Sequence, residues 1–365
     1  MVIPLLVLGI AVVTLAVADL SKTVVNAEGG GGPFTGRVVD RLWRLSLVVH
    51  RAWPSHRFLR WVGVMLILVT ALLWVGLLWT GWTLIFLSDP QAVVHPDTGA
   101  PADAVHRIYY AGETLFTLGS GDLVGGSGFW QVVSALCALA GVSLIGLGVA
   151  YLVPVVQAVS EKRRVAAYIS SLGGTPELLV ERSWTGDDFR GLDAHLVVLA
   201  SELAGVRQRL FAYPALHYFH SLDAHDALAP RLAALDDALT VLTSSVAPEL
   251  QPQPAAIEPV RHVIRSLLDT LEASFIDAAR TAPPPPVLDE LRARDLPFLD
   301  VDEADRALRG LDDRRKLLRG LVEHDGWDWD QAVLMEGELR GGAELALDPS
   351  DHMASRSDDV PAGQR

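Results

Sequence analysis

The stretch that decides the fold is RIYYAGETLFTLGSGD, residues 107–122. It is too short to cross a bilayer as a helix, which takes roughly 20 apolar residues. Its first half can form about two helical turns, whereas Gly119 and Gly121 disfavour a helix in the second half. Non-helical backbone at membrane depth is tolerated only where protein buries it or water lines it. A short helix that ends in a Gly-x-Gly strand therefore predicts a re-entrant loop.

Three uncharged apolar stretches surround or precede this loop, at residues 1–18, 61–87 and 129–160. None shows the polar face of period 3.6 that a helix on the surface of a soluble core would have. They predict three membrane-spanning helices. The first could instead be a cleaved signal peptide, but it lacks a basic start, and the basic linker after it favours a retained helix.

The charged flanks predict the orientation. Residues 20–60 hold seven basic and two acidic side chains, a basic group follows the last span at residues 162–164, and the loop 88–109 holds three aspartates and Arg107. The positive-inside rule then places the N terminus outside and the C terminus in the cytoplasm, in a multi-pass plasma-membrane protein. The basic groups at 44–60 and 162–164 are also candidates for contact with anionic lipid.

Composition argues against several other classes of function. The chain has a net charge of −14, and residues 165–365 alone carry −16, which disfavours nucleic acid as a partner. Its single cysteine, Cys137, allows neither an internal disulfide nor a cysteine-based metal site. No phosphate loop, nucleophile elbow or zinc-helix motif is present in the sequence, so we expect neither an enzyme nor a bound cofactor.

The loop itself has the chemistry of an ion filter. Gly119 and Gly121 permit backbone angles that strain other residues, and alternation of such residues can turn successive carbonyls to one side. Four copies would then form rings of oxygens that replace the hydration shell of a cation. The hydroxyl of Thr117 can add one more ring, and the negative end of the short helix favours a cation nearby.

At these residues the chain resembles the potassium-channel pore family, whose filter has the sequence Thr-Val-Gly-Tyr-Gly-Asp. The resemblance covers roughly residues 61–161. It implies a homotetramer with K⁺ as the permeant ion and a filter at residues 117–121. The residues to which it assigns roles are Thr117, Leu118, Gly119, Ser120 and Gly121 as ion ligands, Glu113, Asp122, Tyr109 and Tyr110 as supports of the filter, and Gly141 as the hinge of the inner helix.

One departure affects selectivity. Ser120 stands where the family has the tyrosine that braces the filter against aromatic residues of the pore helix. A serine does not reach those aromatics, although its carbonyl can still bind an ion. Three readings stay open: a potassium-preferring channel, a weakly selective cation channel, and a membrane receptor or scaffold with a degenerate, non-conducting pore module.

Other roles near the filter have alternatives. Glu113 and Asp122 would share a proton if they were close together, since neighbouring carboxylates raise one pKa. Gly141 is either a hinge or a site of close helix packing. Pro154 should kink the inner helix, as a gate or as a passive bend.

After residue 161 the apolar spacing is helical and predicts a C-terminal bundle of four to six helices. His217, His220 and His225 are weak candidates for a metal site, since ordinary histidines explain them as well. The Trp327–Asp330 repeat either docks on a neighbour or forms a capping turn. A ligand or protein partner of the bundle is not evident from the sequence.

The sequence thus predicts an all-α membrane protein with an outer helix–pore loop–inner helix module, an extra N-terminal helix and a C-terminal bundle. The predicted boundaries are 1–20 for the first helix, 21–60 for a basic linker, 61–160 for the pore domain, 161–346 for the bundle and 347–365 for a disordered tail. Within the pore domain we expect the outer helix at 61–88, the pore helix at 107–117, the filter at 117–122 and the inner helix at 129–160.

Overall fold

The computed structural model describes residues 2–25, 32–272, 276–286, 296–298 and 301–330. These residues are mostly helical, with almost no β-sheet, as predicted. Among them, three helices are long and apolar enough to cross a membrane. They are α1 (Ile3–Val25), α3 (His56–Leu87) and α5 (Gly128–Leu172). The predicted tail at 347–365 lies outside the described residues.

The first helix, α1, packs antiparallel along α3. The amide nitrogen of Val2 donates a 2.5 Å hydrogen bond to the carbonyl of Ser88, just after the end of α3. Midway, a Cβ at Gly81 would lie 2.7 Å from the Val13 side chain, and one at Gly9 would lie 2.8 Å from the carbonyl of Gly81. The two glycines therefore allow a close helix crossing, as small residues do in membranes.

At its other end α1 carries a fully buried acid, Asp19. One carboxylate oxygen accepts hydrogen bonds from the backbone nitrogens of Phe34 (2.7 Å) and Thr35 (3.2 Å). The other accepts from the Thr35 hydroxyl (2.5 Å) and from the indole nitrogen of Trp74 (2.9 Å). Asp19 thus joins α1 both to α3 and to the start of the next helix.

That next helix, α2 (Thr35–Ala52), occupies much of the segment that the sequence predicts to be a linker, residues 21–60. Its apolar positions recur at helical spacing, and it buries Val39, Trp43 and Leu47. Leu45 and Val48 remain 60% exposed on another face. The alternation of arginines with apolar residues is typical of an amphipathic helix that lies along a membrane surface. Residues 35–52 therefore form a helix where the sequence predicts a linker.

Between α3 and α5 lies the pore loop, which includes the helix α4 (Ala104–Leu115). A short antiparallel ribbon closes its base, with β1 (Val93–Val94) pairing β2 (Val124–Gly125) in the register Val93 to Gly125. The ribbon holds the two flanks of the loop together beside the outer ends of α3 and α5.

The inner helix, α5, is longer than predicted. The sequence indicates an end at residue 160, but the helix continues without interruption past Pro154 to Leu172. Its last turns are not lipid-facing, since Val155, Val165 and Ile169 are fully buried in the core of the C-terminal bundle. Apolar burial in a second domain therefore extends the helix beyond the apolar run from which the boundary was predicted.

The C-terminal bundle is built around one central helix that is buried on all sides, α8 (Leu228–Ser245). A bidentate ion pair joins it to the helix Asp312–His324, because Arg315 Nε and Nη2 lie 3.0 and 2.9 Å from the two carboxylate oxygens of Asp237. The same guanidinium donates to the carbonyls of Pro283 and Pro284. The other helices are α6 (Pro176–Ser183), α7 (Asp193–Ala212), α9 (Pro254–Glu272), α10 (Val301–Gly310) and α11 (Asp312–His324).

Candidate ion-conduction site

The pore helix α4 begins at a side-chain cap and ends at the glycine-containing strand. The carboxylate of Asp103 accepts from the backbone nitrogen of His106 at 2.9 Å, as an N-cap does. At the other end, the nitrogen of Phe116 still donates to the carbonyl of Gly112 (2.8 Å), and that of Leu118 donates to the carbonyl of Glu113 (2.9 Å). The following residues, 117–121, belong to no helix or β-strand, and we call them the filter strand.

Every second residue of the filter strand has a positive φ. The angles are +56° at Thr117, +64° at Gly119 and +79° at Gly121. Glycine adopts such angles at little cost, whereas Thr117 is strained and is the one non-glycine residue with positive φ in the described part of the chain. Regular alternation of this kind brings successive carbonyls to one side of a strand, which is the arrangement that coordinates a dehydrated cation.

The filter strand begins deep along the inner helix. A Cβ at Gly141 would overlap the carbonyl oxygen of Leu115, the last residue of α4. Gly141 is thirteen residues into α5, about 20 Å from its start at a rise of 1.5 Å per residue. The hydrocarbon core of a bilayer is about 30 Å thick, so the contact lies within the stretch of α5 that is long and apolar enough to cross a membrane.

Gly141 therefore makes a close packing contact, which is one of the two roles, packing or hinge, that the sequence left open. Its missing side chain lets the end of the pore helix rest directly on the inner helix. Gly146 and Gly148 have open space around the position of a Cβ. Hinge motion at Gly141 and gating at Pro154 stay predictions.

Glu113 supports the filter through Ser120. The side chain is buried, and one of its oxygens accepts hydrogen bonds from the backbone nitrogen of Ser120 (2.5 Å) and from its hydroxyl. Asp122 is exposed, and no hydrogen bond joins it to Glu113 among the described residues. In this structure Glu113 is thus bonded to Ser120, and its coupling to Asp122 stays a prediction.

The two tyrosines of the pore helix differ in their surroundings. Tyr110 is buried, its hydroxyl lies 2.8 Å from that of Ser134 in α5, and its ring packs edge-on to Phe86 in α3. Tyr109 is 45% exposed. Tyr110 therefore fixes the pore helix between the outer and inner helices, and its hydroxyl does not reach the filter strand.

Trp79 supports the same helix from the outer side, a role that sequence reasoning missed. Its indole nitrogen donates to the carbonyl of Ile108 at 3.1 Å, and its ring lies edge-on to Phe116. A Cβ at Gly112 would lie 3.1 Å from that nitrogen, so the glycine makes room for the ring. From the sequence alone, the position of Trp79 near the end of a predicted span indicates only an anchor at the membrane interface.

The three candidate metal histidines do not converge. His220 contacts His56 of α3 and the carbonyl of Asp325, while His225 lies on a short turn before α8. In the described ranges, no group of three histidine, cysteine or acidic side chains is placed to hold a metal ion. His217 is buried, and burial lowers its pKa to about 3.

Taken together, a strand of alternating φ follows a pore helix, lies at membrane depth and is framed by two spanning helices. This geometry defines the pore-loop class of ion channels. A family model described as "Ion channel" matches residues 72–158. The chain therefore belongs to the pore-loop ion-channel family.

Similarity also extends well beyond the pore module. The chain is 32% identical over 328 residues to the "Uncharacterized membrane protein YdjJ" of Bacillus subtilis (strain 168). The aligned region covers 89% of this chain and 96% of that protein, so the two share the C-terminal region as well. No solved structure matches the chain.

Proposed function

We propose that four copies of this chain form a potassium-preferring cation channel whose filter is the backbone of residues 117–121. The observation that carries the proposal is the regular alternation of positive φ at Thr117, Gly119 and Gly121. A soluble turn has no need of that pattern, whereas a ring of carbonyl ligands depends on it.

The exposure of the filter strand supports an assembly of several copies. Leu118 is 68% exposed in the single chain, and the other residues of the strand are exposed as well. Irregular backbone at membrane depth must be buried in protein or face a water-filled path. A ring of four chains supplies both conditions and closes with cyclic symmetry.

The ligands that the strand offers are neutral oxygens. Backbone carbonyls and the Thr117 hydroxyl carry no net charge, so the ring suits a monovalent cation that sheds its water readily. The bond from Ser120 to Glu113 holds the outer part of the strand to the pore helix. That hydrogen bond supports a preference for potassium even without the tyrosine of the family. Weak selectivity is the alternative, and the ratio of potassium to sodium flux distinguishes the two.

The proposal includes an orientation. The basic helix α2 and the C-terminal bundle lie at the end of α3 opposite to the pore loop. By the positive-inside rule these parts face the cytoplasm. The arginines of α2 then lie near the lipid headgroups, where they attract anionic lipid.

The experiment compares two glycines that have nearly the same backbone angle. Gly119 in the filter strand has φ of +64° and Gly99 in the outer loop has φ of +65°, and at both sites a Cβ would have no other atom within 4 Å. Alanine imposes the same left-handed strain at both sites. We expect Gly119→Ala to abolish rubidium uptake into proteoliposomes, while Gly99→Ala retains it.

The outcome separates the competing functions. Uptake that is equally low in both variants and in the unaltered protein, at any imposed potential, contradicts the channel and favours a receptor or scaffold. Uptake that persists in Gly119→Ala contradicts the assignment of the filter. Cross-linking that stops at a dimer in lipid contradicts the tetramer.

A further inference from the structure

A cluster of aromatic and charged side chains joins the C-terminal bundle to the membrane helices. We call it the junction cluster, and it consists of His50, His56, Lys162, His220, Asp325 and Trp327. It lies where the start of α3, the end of α2, the extension of α5 and the segment after α11 meet. The pore-loop chemistry uses none of these residues.

Ring stacking holds the cluster together. The rings of His56 and Trp327 are stacked with centroids 4.3 Å apart, and those of His56 and His220 are stacked at 5.0 Å. Trp327 is only 2% exposed. The segment after α11 is therefore docked on the first residue of the outer helix, which assigns a partner to one tryptophan of the Trp327–Asp330 repeat.

Hydrogen bonds determine where the protons lie. His220 Nδ1 is 2.7 Å from the carbonyl oxygen of Asp325, which can only accept, so this nitrogen carries a proton. His220 Nε2 is 2.9 Å from His56 Nδ1. In a neutral ring Nε2 then holds the lone pair, and His56 must be the donor.

This arrangement tolerates one added proton and not two. With one proton, a cationic ring donates to a neutral ring, because the neutral histidine can take the tautomer in which the facing nitrogen accepts. With a proton on both rings, His56 Nδ1 and His220 Nε2 are both donors that face each other, and the hydrogen bond is lost. The stack is therefore broken when both His56 and His220 are protonated.

The surroundings favour the neutral form of His220. Burial is the largest influence and lowers its pKa, and Lys162 and His50 act in the same direction, whereas Asp325 opposes them. Lys162 is itself engaged, since its ammonium lies 3.1 Å from the Asp325 carboxylate and 3.3 Å from the carbonyl of Phe219. From α2, His50 accepts a hydrogen bond from the nitrogen of Ser55 at 3.0 Å.

Two more histidines lie behind the cluster and face the same lysine. Burial lowers the pKa of His324, while Asp325 and Asp40 oppose the shift. The carbonyl of His324 accepts from the indole nitrogen of Trp43 in α2 at 3.2 Å. His217 is also kept neutral by burial. Every helix that meets at the junction therefore contributes a group that disfavours another positive charge.

We propose that the contact of His220 with His56 and Trp327 is a proton-operated latch, which holds the C-terminal bundle on α2 and α3 at neutral pH and releases it in acid. The open state has the higher proton affinity at the His56–His220 pair. The ratio of closed to open chains then falls by up to about tenfold per pH unit below about 6.5, the ordinary pKa of histidine. This inference does not depend on the ion that the pore conducts.

The test measures the distance across the latch without any ion flux. Nitroxide labels are attached at Arg57→Cys and Asp328→Cys, which are exposed positions on either side, while Cys137 is buried. The full chain is placed in lipid nanodiscs and diluted with unlabelled chain, and distances are recorded by pulsed electron resonance between about pH 7.5 and about pH 5.

We expect one short distance at neutral pH and a longer, broader distribution in acid, with a midpoint below that of free histidine. In His220→Gln and His220→Asn the midpoint of the transition should move to lower pH, because the amide does not titrate and can accept from His56 whether or not that ring is protonated. His262→Gln is the matched control, since His262 is exposed on α9, and the transition should remain.

Two results overturn the proposal. The first is an unchanged distance distribution in the unaltered chain over this pH range, which needs no variant to fold. The second is a transition whose midpoint in both His220 variants equals that of the unaltered chain. If the protein shows no ion flux but the label distance still changes with pH, the result contradicts the proposed conduction and still supports the latch.

Discussion

Asp19 in α1 and Trp74 in α3 are joined by a hydrogen bond of 2.9 Å between a carboxylate oxygen and the indole nitrogen. The same carboxylate receives three more hydrogen bonds, all from Phe34 and Thr35 at the start of α2. One side chain therefore fixes the relative positions of three helices. An acid within an apolar helix is expected only where such donors compensate its burial.

Removal of this acid should loosen the first two helices. We expect Asp19→Ala to lower the melting temperature in detergent strongly, since each buried donor left without a partner costs about 1–3 kcal/mol. The melting temperature of Asp19→Asn should be intermediate, because the amide oxygen can still accept hydrogen bonds while the amide nitrogen, itself a donor, faces other donors. Asp97→Asn, in the exposed outer loop, is the control. Equal melting temperatures for Asp19→Ala and the control would contradict the role of Asp19.

A methyl group at Gly141 should displace the pore helix. The added carbon overlaps the carbonyl of Leu115, which is backbone and cannot rotate away, and overpacking of this kind costs about 1–3 kcal/mol. We therefore expect Gly141→Ala to reduce the yield of assembled protein in size-exclusion chromatography. Gly146→Ala, which has open space on the same helix, should behave like the unaltered chain. If the two variants are indistinguishable, the close contact is not needed.

The brace between Ser120 and Glu113 should affect ion selectivity. Ser120→Ala removes one of two hydrogen bonds to the Glu113 carboxylate and leaves the one from the backbone nitrogen. Hydrogen bonds to charged groups contribute about 1.5–3 kcal/mol. We expect a lower ratio of potassium to sodium flux in proteoliposomes.

The double variant tests whether these two residues act together. Adding Glu113→Gln to Ser120→Ala should change the flux ratio by less than the sum of the single effects, as coupled pairs do. Strict additivity would show that the glutamate and the serine act on selectivity separately.

Buried His217 should make the folded protein sensitive to acid. Its pKa is about 3 in the folded chain and about 6.5 when unfolded, so the unfolded state binds the proton first as the pH falls. Stability is lost below about pH 6.5 at about 1.4 kcal/mol per pH unit, which amounts to about 2 kcal/mol at pH 5. His217→Gln should reduce this slope in denaturant titrations. His262→Gln, an exposed control, should leave the slope unchanged, and a steep slope in both variants would assign the acid sensitivity to other groups.

The sequence predicted those parts of the site that are local. The glycines at 119 and 121 and the helix before them lie within one short stretch, so their backbone preferences and spacing indicated a short helix followed by a non-helical segment without any knowledge of the rest of the chain. The three spans followed from long uncharged runs in the same way.

Contacts between distant segments were not predictable. Asp19 and Trp74 are 55 residues apart, and His56 and His220 are 164 apart. A lone acid at the end of an apolar run was the one available signal for Asp19. The contact between Ser120 and Glu113 did not follow from the family pattern, because a short hydroxyl side chain can reach an acid that a tyrosine would leave to other partners.

The inner helix belongs to two cores at once. At 45 residues and 1.5 Å per residue it is about 68 Å long, with one part against the pore helix and the other inside the C-terminal bundle. A tilt of the bundle therefore also tilts the part of α5 that contacts the pore helix. Thermodynamic linkage makes this reciprocal: whatever binds the bundle and favours one tilt changes the occupancy of the pore, and an ion held in the pore changes the affinity of the bundle by the same factor.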